Sequence, residues 1–429
     1  MKAFGKLITL VVLMGFIVSC GAKTTATQAP ATEPPVVQPA ATELPVVPTE
    51  VPLTAAEQWA KTNGFGPYQP ATEDWAAVEA AAKLEGKVVV YANSSKFTKL
   101  IKPWNALYPD IALEGGDTDN IDVKMREEQK AGNVVGDVWF NSDGHILYGE
   151  FVPNEWIWSY VPPGVVESEL TAEQPMAVER HGFDVWAYNP EVDKNGCPIS
   201  NWWQMTEPAF QGKVYIEDPI DDVSTMAKWA TIVEHADEMA TAYKDLYGKD
   251  WTTDPSAAPD AFGSAPENAG WLFLKKLAQN KPGVEPGGDE VDAAYAALGM
   301  DPTVEPGLGW TGYDSVEGTT AGEIAMSPCF GLKPVLGILK TNYLAVANNA
   351  PHPNAAKLFI KFALTEEGYK PWNAIGTYPA VEGWTLPEGA MPLAEMRAQS
   401  WLMNPVYDWE WAAKVRDYWA ISLLSAPPE

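Results

Sequence analysis

From Lys87 onward, short apolar runs alternate with helix-forming stretches, and this alternation leaves few folds open to the chain. Lys87-Val88-Val89-Val90-Tyr91 is short and β-branched, the pattern of a buried strand. It leads into the polar turn Asn93-Ser94-Ser95-Lys96 and a helical stretch from Thr98 to Tyr108. Ile111 to Glu114 reads as the next strand, and Asp122 to Ala131 as a helix ended by Gly132. Gly136 to Phe140 is a third strand, finishing in Asn141-Ser142-Asp143. Met176 to Arg180 and Phe183 to Tyr188 read as paired strands around a His181-Gly182 turn. Gly212 to Glu217 is a further strand, after which Asp221-Asp222-Val223-Ser224-Thr225 opens a long helix. Helices are also expected from Glu267 to Gln279 and from Asn354 to Leu364. Strands alternating with helices at this spacing predict an α/β fold with helices on the sheet faces.

The N-terminus belongs to a different kind of segment. Lys2 and Lys6 precede an apolar run from Leu7 to Val18, and Ser19-Cys20-Gly21 follows. A basic start, a short apolar core and a small residue before the cut describe a secretory signal over residues 1–19. Ile17-Val18-Ser19-Cys20 resembles a bacterial lipobox, with Cys20 as the lipidation site. Residues 20–53 are rich in Pro, Thr, Ala and Val, which favours an extended, solvated tether. The expected location is outside the cytoplasm, attached to the cell membrane only through the lipid.

With 57 acidic and 29 basic residues the formal charge is −28, and loss of Lys2 and Lys6 would bring it to −28 − 2 = −30. Phosphate neutralisation needs a basic surface, so this composition argues against a nucleic-acid partner. The excess charge sets solubility and could attract a cation. Cys197 and Cys329 could pair in an oxidising compartment, or remain free. The four His residues are scattered, and no CxxC, HExxH or EF-hand loop occurs. Likewise there is no GxSxG elbow, Walker A loop or GxGxxG, so no enzyme chemistry is called for and no cofactor is expected.

Three polar turns at strand ends are the candidate binding elements. In open α/β sheets ligands sit beyond the carboxyl ends of strands, where helix N-termini offer free N–H groups. This selects Asn93, Ser94 and Ser95, then Asn141 and Ser142, then Asp221, Ser224 and Thr225. The same residue types also serve as simple helix caps. The chain has 19 Trp, and aromatic faces stack on sugars and cations. Trp310 and Tyr313, in a Gly-rich stretch, are the aromatics expected to line a cleft.

Several segments, in order, resemble the type II periplasmic solute-binding proteins of ABC importers, and in particular the ferric-iron-binding group. They are Gly86 to Tyr91, Gly136 to Asp143, Ala187-Tyr188-Asn189-Pro190, Trp202 to Val214, Ala350 to Phe362, and Tyr378-Pro379. The resemblance implies two α/β lobes joined by crossover hinge strands, with the ligand in a central cleft. Residues 54–186 would form lobe 1, with 335–378 returning to it. Residues 187–334 would form lobe 2, with 379–429 packing on it. It further implies a monomer that closes on a small molecule or ion and delivers it to an ABC permease. Ferric-binding members use two adjacent Tyr residues, and this chain has no Tyr-Tyr pair. The ligand therefore stays open between a metal ion, a phosphorylated solute and another small solute. A tethered glycan-active enzyme and a sensor without a transporter are the competing readings.

Overall fold

Asp74 accepts the Ala77 N–H and starts the helix Trp75–Glu85, which Gly86 stops in a left-handed conformation at φ 78°. The strand Lys87–Ala92 follows directly, buried along most of its length. The architecture was described from a computed structural model covering residues 52–117, 120–165, 176–296 and 307–425. The expected signal, Cys20 and nearly all of the tether lie outside these residues. The described part of the body opens with the helix Ala55–Asn63, started by a capping box between Thr54 and Glu57.

One mixed sheet runs through the body. Its main path is Ala112–Asp117, Lys87–Ala92, Val138–Asn141, Gly337–Ala347, Ala177–Tyr188, Leu308–Gly312, Val214–Glu217 and Gly283–Glu285. The outer strands pair in parallel, as expected where helices form the connections. The two long central strands, Ala177–Tyr188 and Gly337–Ala347, run antiparallel to each other and cross between the two halves. Each half has its own core. Val88, Val90, Trp104, Trp139, Val346 and Phe359 belong to the first. Trp186, Trp202, Trp203, Trp229, Trp310 and Trp419 belong to the second.

The expected hairpin at His181-Gly182 is instead a single strand of 12 residues. His181 lies opposite Thr341 and Gly182 opposite Lys340, so both residues have ladder partners and the chain has no reason to turn. His181 Nδ1 also lies 3.0 Å from the Thr341 hydroxyl. The neighbouring strand comes very close: a Cβ on Gly337 would lie 2.0 Å from the Asp184 carbonyl oxygen.

Two sequence signals have structural explanations. Asp137 accepts the Val89 N–H and the His352 N–H, and its Oδ2 lies 2.9 Å from His352 Nδ1. This ties the Gly136 to Asp143 and Ala350 to Phe362 segments together. Cys197 and Cys329 form a disulfide with their Cα atoms 5.1 Å apart, which closes a separation of 132 residues.

Candidate functional site

The first wall of the site is the chain leaving Lys87–Ala92 and Val138–Asn141. Asn93 donates from Nδ2 to the Ser142 hydroxyl at 3.2 Å, fixing one turn against the other. Asn141, almost fully buried, donates to Asp143 Oδ2 at 2.7 Å and accepts the Ser142 N–H through Oδ1. Asp143 Oδ1 is buried and has no hydrogen-bond partner. Burial pushes the Asp143 carboxyl up to about 6, and the charges of Asp222 and Asp122 add to the effect. His145, two residues on and buried, is pushed down to about 4 by that burial, so its imidazole is neutral at neutral pH.

The second wall begins where Val214–Glu217 turns into the helix Val223–Glu234. Asp222 caps that helix by accepting the Thr225 N–H. The Thr225 hydroxyl donates to Glu217 Oε2 at 2.9 Å, which holds that carboxylate toward the helix. Lys228, one turn further, is buried and lies 2.8 Å from Asp184 and 3.5 Å from Glu217. Lys340, on the second crossover strand, lies 2.9 Å from the other Asp184 oxygen. Burial opposes the charge on Asp184, but the two lysines outweigh it and hold the carboxyl below its usual range. The floor is thus an ion-paired triad joining both crossover strands to the second half.

Between the walls lies a cavity of about 450 Å³. It is lined by five carboxylates, Asp122, Asp143, Glu217, Asp221 and Asp222, against two lysines, Lys228 and Lys340. Both lysines are already engaged by Asp184 beneath, so the open face of the cavity is acidic. Among the described residues, no three His, Cys, Asp or Glu side chains converge as a metal-holding group. The arrangement suits a polar solute with a positively charged group and several hydrogen-bonding atoms.

Of the residues selected from the sequence, Asn93, Asn141, Ser142, Asp221 and Ser224 line this cavity. The other five are placed elsewhere. The Ser94 hydroxyl accepts the Trp372 indole N–H at 3.1 Å. Ser95 opens a 3-10 turn, Ser95–Leu100, and its carbonyl accepts the Thr98 hydroxyl. Thr225 is fully buried and acts on Glu217 and Asp222 rather than facing the cavity. Trp310 is a correction: it is 1% exposed and packs edge-to-face on Trp186 and Trp202. Tyr313 is another, packed against Phe183 and Phe330 in a small third core cluster. Trp310 lies on the strand Leu308–Gly312 and Tyr313 in the turn after it, and for both burying a large ring outweighs exposing it at a cavity rim.

The sequence reading missed Asp143, Glu217, Lys228 and Lys340 as lining residues. A signal for the lysines existed. Lys228 sits inside an otherwise apolar helix, and Lys340 and Asp184 inside apolar strands. Charges at such positions need partners.

Solved structures similar in fold to this chain include iron-bound HitA from Pseudomonas aeruginosa. It is 15% identical, with 78% of this chain and 99% of that chain covered and a TM-score of 0.58. The chain has the type II periplasmic-binding-protein fold. An ABC transporter substrate-binding protein from Bradyrhizobium japonicum shares the fold at 14% identity, with 79% and 99% covered and a TM-score of 0.56. A periplasmic thiamin binding protein shares it at 14% identity, with 79% and 96% covered and a TM-score of 0.53. These neighbours are binding proteins, and at this identity the likeness establishes the fold alone. The sequence itself matches no family model and no curated protein.

Proposed function

We propose that the protein is the solute receptor of an ABC importer, and that it captures a small, positively charged polar solute between its two halves. The observation that carries this reading is the acidic cavity with one wall from each half, over the Asp184 triad that joins the crossover strands. A ligand touching both walls favours the closed arrangement, because only differential affinity shifts such an equilibrium. The long paired strands supply the hinge about which closure occurs. Asp143, with a buried oxygen lacking a partner, is the residue expected to meet the ligand's positive group. Lipid on Cys20 would hold the receptor at the membrane while the tether lets it reach a permease. Among the described residues no helix is long and apolar enough to cross a membrane.

A thermal-shift screen of amines, basic amino acids, sugars and anions tests the ligand class. A cationic solute at 100 times its Kd is expected to stabilise the protein by about 2.7 kcal/mol. The effect should disappear in Asp143→Asn. Stabilisation by an anion that survives Asp143→Asn would contradict the reading, as would turnover of a solute.

A further inference from the structure

Lys96 follows the cavity-lining Asn93 by three residues, in the 3-10 turn Ser95–Leu100 whose Phe97 and Leu100 belong to the first core. Its ammonium nevertheless reaches the second half, 3.0 Å from Asp314 and 3.7 Å from Glu317. Those carboxylates stand on the turn Tyr313–Ser315 and the helix Val316–Ala321, directly after the strand Leu308–Gly312. That strand is parallel to Val214–Glu217, so the chain leaves both at the same end of the sheet. Lys87–Ala92 is likewise parallel to Val138–Asn141. The ion pair therefore crosses between the halves at the same strand ends that form the two walls of the solute cavity. Its setting adds to it. The ammonium enters a hollow of about 590 Å³ lined by Asp289, Asp292 and Glu323 as well as Asp314 and Glu317. Among the described residues, Lys96 is the one cation lining this hollow and the one residue there from the first half. Several acidic groups facing a single ammonium attract it from a distance, and a side chain only a quarter exposed is incompletely screened by water.

We infer that Lys96 is a clasp on the closed arrangement: its ammonium seats in the acidic hollow of the second half when the halves close and leaves it when they open. It lines no part of the solute cavity, so it is a positioning residue that sets how long the two walls stay together. The inference rests on the reading that the halves open and close around a solute. A contact made in only one arrangement shifts the equilibrium by its own energy. For a partly exposed ion pair this amounts to about a two- to fivefold change in the open population.

Hydrogen exchange of the full chain without added solute, read by mass spectrometry, tests the inference. In Lys96→Ala the amides of the cavity walls, 141–145 and 222–226, should exchange about two- to fivefold faster than in the parent. An ion pair that only stiffens its own turns would change 93–100 and 313–317 and leave the walls alone. Salt should act on the parent in the same direction, because about 1 M NaCl shortens the screening length to about 3 Å. In Lys96→Ala the same salt should not speed exchange at the walls, since only repulsion between acidic walls is then left to screen. Lys96→Arg keeps the charge and should behave as the parent, whereas Asp314→Asn with Glu317→Gln should reproduce Lys96→Ala. Unchanged wall exchange in Lys96→Ala would overturn the inference. Exchange in Lys96→Arg as fast as in Lys96→Ala would also overturn it, because the charge would not be the cause. No solute takes part, so the ligand class is judged separately. Opening on loss of Lys96 in a chain that no cation stabilises in the thermal-shift screen would sink the cationic-solute reading and leave the clasp standing.

Discussion

Asp222 has two separable tasks: its carboxylate caps a helix, and its charge faces the solute cavity. Asn caps nearly as well as Asp, whereas Ala does not. Asp222→Asn is therefore expected to keep the melting temperature while weakening the solute by about tenfold. Asp222→Ala should in addition lose about 1 kcal/mol of stability, read by urea unfolding. Asp408 illustrates a different cost. It is fully buried between helices, accepts the Thr231 hydroxyl, and has one oxygen without a partner. Burial, helped by the charge of Glu234, pushes its carboxyl up to about 8. An unfolded Asp releases its proton near pH 4, whereas the folded protein keeps it until about pH 8. Its contribution to stability is therefore lost as pH rises through that window, at about 1.4 kcal/mol for each pH unit over which the proton is held. Asp408→Asn removes the titration, so the variant's stability relative to the parent should grow by a few kcal/mol between pH 5 and pH 8. A constant difference across that range would show that Asp408 is ionised in the folded protein.

At the scale of elements, the two crossover strands determine what the site can do. Asp184 links them to the second half through Lys340 and Lys228. Removing one member of a buried ion-paired group leaves the others uncompensated, so Asp184→Ala is expected to cost about 3–5 kcal/mol in urea unfolding. A loss under 1 kcal/mol would mean that water reaches both lysines freely. The strand and helix pattern of the first half was legible because each apolar run was short, β-branched and closed by a polar turn. The crossover strand was not, because His181 and Gly182 look like a turn locally and are held extended by partners far along the chain, in the strands Gly337–Ala347 and Thr377–Pro379. The site was half legible for the same reason. Asn93 and Asn141 stand at strand ends and Ser224 at a helix start, where local pattern reports position. Much of the cavity's charge comes instead from Asp143, Glu217, Lys228 and Lys340, and Asp184 beneath takes up the two lysines, which leaves the carboxylates open to a solute. Trp310 misled because a Gly-rich neighbourhood suggests a loop, while Leu308–Gly312 is a sheet strand whose Gly309 lets Tyr295 approach, and Tyr313 in the turn just after it packs into the core.

Over the whole molecule, stability and binding are placed in different parts. The Cys197–Cys329 disulfide closes a long loop in the second half, and restricting such a loop in the unfolded chain contributes about 5 kcal/mol in the chain-entropy account. Cys197→Ser with Cys329→Ser should lower the melting temperature markedly and leave solute affinity intact, because neither residue lines the cavity. The tryptophans of the second core serve the same end, packing ring on ring away from the acidic walls. The central claim is that the halves hold a positively charged solute through Asp143 and Asp222. It is tested most directly by native mass spectrometry of the protein purified gently from its own cells, beside Asp143→Asn with Asp222→Asn. The account predicts a discrete extra mass on the parent, belonging to a cationic solute, and its loss from the double variant. An anionic adduct, or the same adduct on both proteins, would contradict it.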